Sequence, residues 1–159
     1  MSEDVRLTIP EAHKRFAVDC FNNCWTYLEK PNLTDEEKVE MIHIAHASAY
    51  HWLQREDKQP VNRVRSLWQI SRAYAVAGHP GAAAFYGQLC LEGCERDGIG
   101  DFDLAYAYEA LARAAALQGD GVKREEFFAK AKAAAESIQE KDDRELFESD
   151  LKTIPEVPK

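Results

Sequence analysis

The sequence predicts an all-α protein that forms a single domain over residues 1–159. We expect a stack of three antiparallel helix pairs with a seventh helix capping the C-terminal end. Three observations carry this. Apolar residues recur at three- and four-residue steps over whole segments, and no stretch alternates apolar and polar residues with β-branched enrichment. Alanines, the best helix formers, cluster at 82–84, 114–116 and 133–135. Two glycine-rich breaks, Gly78-His79-Pro80-Gly81 and Gly119-Asp120-Gly121, interrupt the helical pattern where hairpins must turn. The pairs are expected at about 10–57, 60–97 and 101–140, and the capping helix at about 142–153.

Residues 1–9 read as a loose arm. Pro10 suits a first helical turn, where its missing N–H costs nothing, and Phe16, Cys20, Phe21, Cys24, Tyr27 and Leu28 mark an inner stripe up to Glu29. Thr34-Asp35-Glu36-Glu37 is a capping box, in which hydroxyl and carboxylate each satisfy the other residue's backbone N–H. It opens a helix whose stripe is Met41, Ile42, Ala45, Ala49, Trp52 and Leu53. Pro60 starts the third helix, with Val64, Leu67, Trp68, Ser71, Tyr74 and Ala75 inward and Gly78 as its stop. The fourth runs from Pro80 to about Asp97 and carries Ala82, Tyr86, Leu89, Cys90 and Gly93. Asp101 is a good N-cap for the fifth, whose inner face is Tyr108, Leu111, Ala112 and Ala115. The sixth buries Phe127, Phe128, Ala131, Ala135 and Ile138, and the seventh offers Leu146, Phe147, Leu151 and Ile154 before a fraying tail at 155–159.

The chain is 45% hydrophobic and 30% charged, with a net charge of −8. No basic face is present of the kind that phosphate neutralisation requires, so a nucleic-acid partner is not expected. No apolar run reaches the ~20 residues that span a bilayer, and the acidic start Met1-Ser2-Glu3-Asp4 lacks the order of a signal peptide. The expectation is a cytoplasmic protein away from membranes, with its four cysteines reduced.

Gly78 and Gly119 stand 41 residues apart, within the range of helical-hairpin repeats. Leu67, Ile70, Ser71 and Tyr74, followed by Gly78 and Ala83, fall on the helix-A pattern W-x2-L-G-x2-Y and its sequel. Tyr108, Leu111, Ala112 and Ala115, then Gly119-Asp120, Phe128 and Ala131, fall on it again. On these residues the chain resembles the tetratricopeptide-repeat superfamily, and short bacterial tetratricopeptide-like proteins in particular. Gly87 and Arg124 depart from the pattern, and its closing proline is absent from both units. The resemblance implies a right-handed α–α superhelix that binds a protein or peptide. It also implies that the third and fifth helices line a groove. The family's carboxylate clamp pairs Lys with Asn; Asn22 and Asn23 lie on the first helix, but no lysine matches, so that role is not transferred.

Two candidate sites follow. Arg65, Trp68 and Arg72 on the third helix, and Tyr106, Glu109 and Arg113 on the fifth, have the composition of a recognition surface. The arginines can grip a carboxylate or phosphate, or they can join with Glu109 in a ladder between repeats. The second candidate is Glu40-x-x-His43-x-x-His46 with His51 nearby, whose imidazoles and carboxylate suit one transition-metal ion. A second Glu-x-x-His, which a di-iron bundle needs, is missing, and so is His-Glu-x-x-His. The i, i+4 pairs Cys20/Cys24 and Cys90/Cys94 read as small core residues. The leading expectation is a non-enzymatic interaction module without a cofactor. The alternative is a metal-binding protein or metal-dependent enzyme. Self-association into a homodimer through the groove or an exposed end of the stack is a third.

Overall fold

The structure, a computed structural model, describes residues 5–159; the first four residues of the expected arm lie outside the described residues. Among the described residues there are seven helices and no strand: α1 (Ile9–Leu28), α2 (Asp35–Gln54), α3 (Pro60–Ala77), α4 (Pro80–Asp97), α5 (Asp101–Leu117), α6 (Gly121–Ala135) and α7 (Lys141–Leu151). α1 packs on α2, α3 on α4 and α5 on α6, while α2–α3 and α4–α5 contacts join successive pairs. The odd-numbered helices also meet: α3 touches α1 and α5, and α7 packs on α5 and α6. Among the described residues the backbones of α2 and α4, and of α4 and α6, do not approach one another, although the His46 and Tyr86 rings meet between α2 and α4.

Local chemistry sets the ends. The Thr34/Glu37 box forms as read, with the Glu37 N–H donating to Thr34 Oγ1 at 3.2 Å and the Thr34 N–H to Glu37 Oε2 at 2.9 Å. A second box, Thr8/Glu11, starts α1 at Ile9, about two turns before the stripe begins. It corrects the expectation of a loose arm up to residue 9, because the cap spends Thr8 on the helix. The hairpin break at Gly78 is a left-handed residue, φ +84°, after which the His79 N–H donates back to Tyr74 O at 2.9 Å. Gly119, φ +75°, repeats the device with Asp120 donating to Ala115 O at 2.9 Å. At α5 the cap position belongs to Gly100, not to Asp101. Asp101 instead has φ 55°, a left-handed conformation that aspartate tolerates better than most residues.

Each of the first two pairs is tied by small side chains that donate to a carbonyl of the partner helix. Ser48 Oγ reaches Ala17 O at 2.9 Å, and Ser71 Oγ reaches Ala83 O at 2.7 Å. Cys90 Sγ reaches Val64 O at 3.3 Å. The buried cysteines therefore act as core residues, and burial pushes the Cys24 thiol up to about 12.

Several stripes shift from the reading above. Ala17 and Cys24 are the buried residues of α1, while Phe16 is exposed; on α2 Ser48 is buried and Leu53 exposed. Phe127 and Phe128 are only half-buried, beside buried Ala131 and Ala135. The 155–159 tail, expected to fray, is docked at its start, where Val157 packs against the core. Ile154 is buried, and the Arg124 guanidinium, itself buried, donates to Pro155 O at 3.2 Å.

Gly93 is set by close approach, since a Cβ there would lie 2.8 Å from Val64 Cγ1. Val64 is buried and, being β-branched, has little rotamer freedom with which to yield. Gly93→Ala is therefore expected to lower the unfolding free energy by about 1–3 kcal/mol in urea titration. Gly81→Ala, where a Cβ meets nothing within 4 Å, should be neutral or stabilising by up to about 1 kcal/mol.

Candidate functional site

A cleft of about 870 Å³ opens between α1, α3, α5 and α7. Its walls are aromatic. Trp25 of α1 stacks on Trp68 of α3 with ring centroids 5.6 Å apart. Tyr106 of α5 meets Trp68 edge-on at 5.3 Å, and Phe102 lies 4.7 Å from Tyr106. Leu146 of α7 lines the same space and is 54% exposed. The carboxylates of Glu29, Asp101, Asp103, Asp143 and Asp150 line it too, against the guanidiniums of Arg65 and Arg72.

Behind the aromatic wall sits Glu109, with no solvent exposure. Its Oε1 accepts from Arg72 Nη1 at 2.9 Å and from Arg113 Nε at 2.8 Å. Arg113 also donates to Thr153 Oγ1 at 2.7 Å and Asp150 O at 3.2 Å, and the Tyr106 hydroxyl donates to Asp150 Oδ2 at 2.6 Å. α3, α5 and the C-terminal end of α7 are thus joined through one buried carboxylate. Burial, followed by the hydrogen bond to Asp150, pushes the Tyr106 phenol pKa well up; desolvation lowers that of Arg113 despite its partner. Glu109 Oε2 has no partner and neither does Trp68 Nε1, both buried polar atoms.

All six groove candidates fall in this region, yet most are not outward. Trp68 and Tyr106 are 8% and 7% exposed, and Arg72 and Arg113 are spent on Glu109. The ladder reading holds, while the expectation of arginines free to hold an anion does not. The physical reason is position. α3 is surrounded by α1, α2, α4 and α5, and α5 by α3, α4, α6 and α7, so little of either helix surface stays outward. Arg65 remains half-exposed but forms a two-pronged ion pair with Asp103, at 2.8 and 3.2 Å.

The reading from sequence missed Trp25, Phe102 and the α7 residues Asp143, Leu146 and Asp150. Leu146 stood in the core stripe. The three- and four-residue spacing of 143, 146 and 150 was the available signal, since it puts one apolar and two acidic groups on a single side of a short helix.

The other candidate does not assemble. Among the described residues no three His, Cys, Asp or Glu side chains come together as a metal ion needs. His46 Nε2 pairs with Tyr74 Oη at 3.1 Å and its ring meets Tyr86 at 5.4 Å, while His43 and Glu40 are exposed. His51 turns to α1, with its Nδ1 2.8 Å from His13 Nδ1. Comparison with protein-family models, curated proteins and solved structures finds no match for the chain. No helix of the described residues is long and apolar enough to cross a membrane.

Two predictions follow from these clusters. Glu109→Ala removes the carboxylate that two half-buried guanidiniums share, leaving Arg72 with Asp150 at 3.8 Å as its ion-pair partner, and should cost about 3 kcal/mol. Replacing Arg72, Glu109 and Arg113 together by Met, Leu and Met should recover most of that loss in the same denaturation assay. His46 and His51 have pKa values lowered below the ordinary 6.5, in both cases chiefly by burial and then by a neighbouring histidine, His43 and His13 respectively. The unfolded chain takes up these protons near pH 6.5 and the folded chain only below it. The stability they contribute is therefore complete above that pH and is lost as pH falls through it towards the folded values. Melting temperature should decline below about pH 6.5, and a His46→Gln/His51→Gln variant should show a flatter decline.

Proposed function

We propose that this chain is a non-enzymatic binding module that holds a segment of a partner protein in the cleft between α1, α3, α5 and α7. The observation that carries the reading is the cleft itself, a solvent-open space walled by stacked and edge-on aromatic rings with an exposed leucine at its mouth. Aromatic residues supply most of the energy in recognition surfaces, and pockets of a few hundred Å³ are the size that takes side chains of a bound segment. The arrangement we favour is the tetratricopeptide-like right-handed superhelix. The backbones of the odd-numbered helices approach one another across pairs whereas those of the even-numbered helices do not, as expected when a stack curves with its odd helices inside. Extended concave surfaces of such stacks are suited to partner segments.

The test uses two exposed residues on different faces, Leu146 in the cleft and Phe85, 59% exposed, outside it. A partner captured by the wild-type chain and identified by mass spectrometry should be retained by Phe85→Asp and lost by Leu146→Asp, both variants keeping their helical circular dichroism. Loss with Phe85→Asp and retention with Leu146→Asp would move the binding surface away from the cleft.

A further inference from the structure

We infer that the segment taken by this cleft is basic, a stretch of the partner chain that presents arginine or lysine. The inference rests on the reading of the cleft as a peptide site. The charge around the cleft is unequal. Its two guanidiniums are occupied, Arg65 by Asp103 at 2.8 Å and Arg72 by Glu109 at 2.9 Å. Of the five carboxylates, Glu29, Asp101 and Asp143 have no cation within ion-pair distance among the described residues. An anionic segment would meet three unpaired carboxylates with no free positive group to offset them. A cationic one would meet its complement, in a chain whose net charge of −8 already steers cations towards it.

The walls point the same way independently. The faces of Trp, Tyr and Phe carry negative quadrupoles that attract guanidinium and ammonium groups. The cleft already contains one such contact, Arg72 placed 5.9 Å from the Trp68 ring centre. Trp25 and Phe102, both half-buried, offer further ring surface beside the carboxylates, backed by the nearly covered Trp68 and Tyr106. A peptide fits better than a small organic cation because of size: a cleft of about 870 Å³ walled by four helices takes successive side chains of a segment, whereas one alkylammonium group leaves most of it empty.

The experiment is selection of short random peptides displayed on phage, using the full chain as bait, followed by titration of the recovered peptides. The wild-type chain should recover sequences enriched in arginine and lysine. Their Kd should rise roughly tenfold for Glu29→Gln/Asp143→Asn, and should weaken with added salt. A Glu36→Gln/Glu95→Gln variant carries the same net charge with the cleft intact, so it should bind as wild type. Equal weakening in both charge variants would overturn the inference, since attraction would then follow net charge alone. Recovery of acidic or neutral peptides that Leu146→Asp no longer binds would also overturn it, while leaving the cleft as the binding surface. Recovery of nothing above background would overturn the inference and the reading of the cleft together.

Discussion

The carboxylate of Glu109 has no exposure to water and must be held by the protein itself. Burying an unpaired charge is among the most costly things a small fold can do, and the sequence answers with two guanidiniums from different places, Arg72 on α3 and Arg113 one turn further along α5. Once those are committed, Arg113 has donors left over, and they fix Thr153 and Asp150 at the end of α7. Asp150 then receives the Tyr106 hydroxyl. Satisfying one charge thus determines where α7 lies against α5, and α7 supplies the fourth side of the cleft. The aromatic wall follows, because Tyr106 is held between Trp68 and Phe147, with ring centroids 5.3 and 4.9 Å away.

This arrangement changes what the cleft can recognise. Arginines beside aromatic rings invite an anionic ligand when read in isolation. With Arg72 and Arg113 turned to Glu109 and Arg65 paired to Asp103, the groups left unpaired towards the open space are carboxylates and rings. Charge complementarity then favours a cationic guest. Net composition pointed the same way, but composition alone gives the sign of a long-range field and not the place where it is focused.

Much of the architecture was legible. Helix number and most boundaries followed from three- and four-residue periodicity, the Thr34/Glu37 box and the glycine breaks. Gly78 and Gly119 take the left-handed conformation that a helix stop with glycine implies. The errors have one physical origin. Periodicity gives a helix one inner face, whereas α3 and α5 are enclosed by four neighbours each, so Tyr106 and Glu109, off the expected inner face of α5, are buried as well. Of the six groove candidates, Arg65, Trp68, Arg72 and Tyr106 line one cleft with Glu109 and Arg113 behind them, and only Arg65 is exposed. Trp25 and the acidic side of α7 were missed because their contribution depends on how α1 and α7 approach α3 and α5, which no local pattern encodes. Glu40, His43, His46 and His51 share a helix but not a direction, and tertiary partners such as Tyr74 and His13 decide where His46 and His51 point.

The central claim is that the buried Glu109 cluster makes α7 a structural wall and not a loose C-terminal appendage. Amide hydrogen exchange of the native protein, followed residue by residue, tests it most directly. The account predicts that the amides of Phe147–Leu151 exchange slowly and lose protection together with those of α5 around Glu109, in one cooperative opening. Rapid exchange throughout α7 while α3 and α5 remain protected would contradict it, because the cleft would then lack its fourth wall in solution.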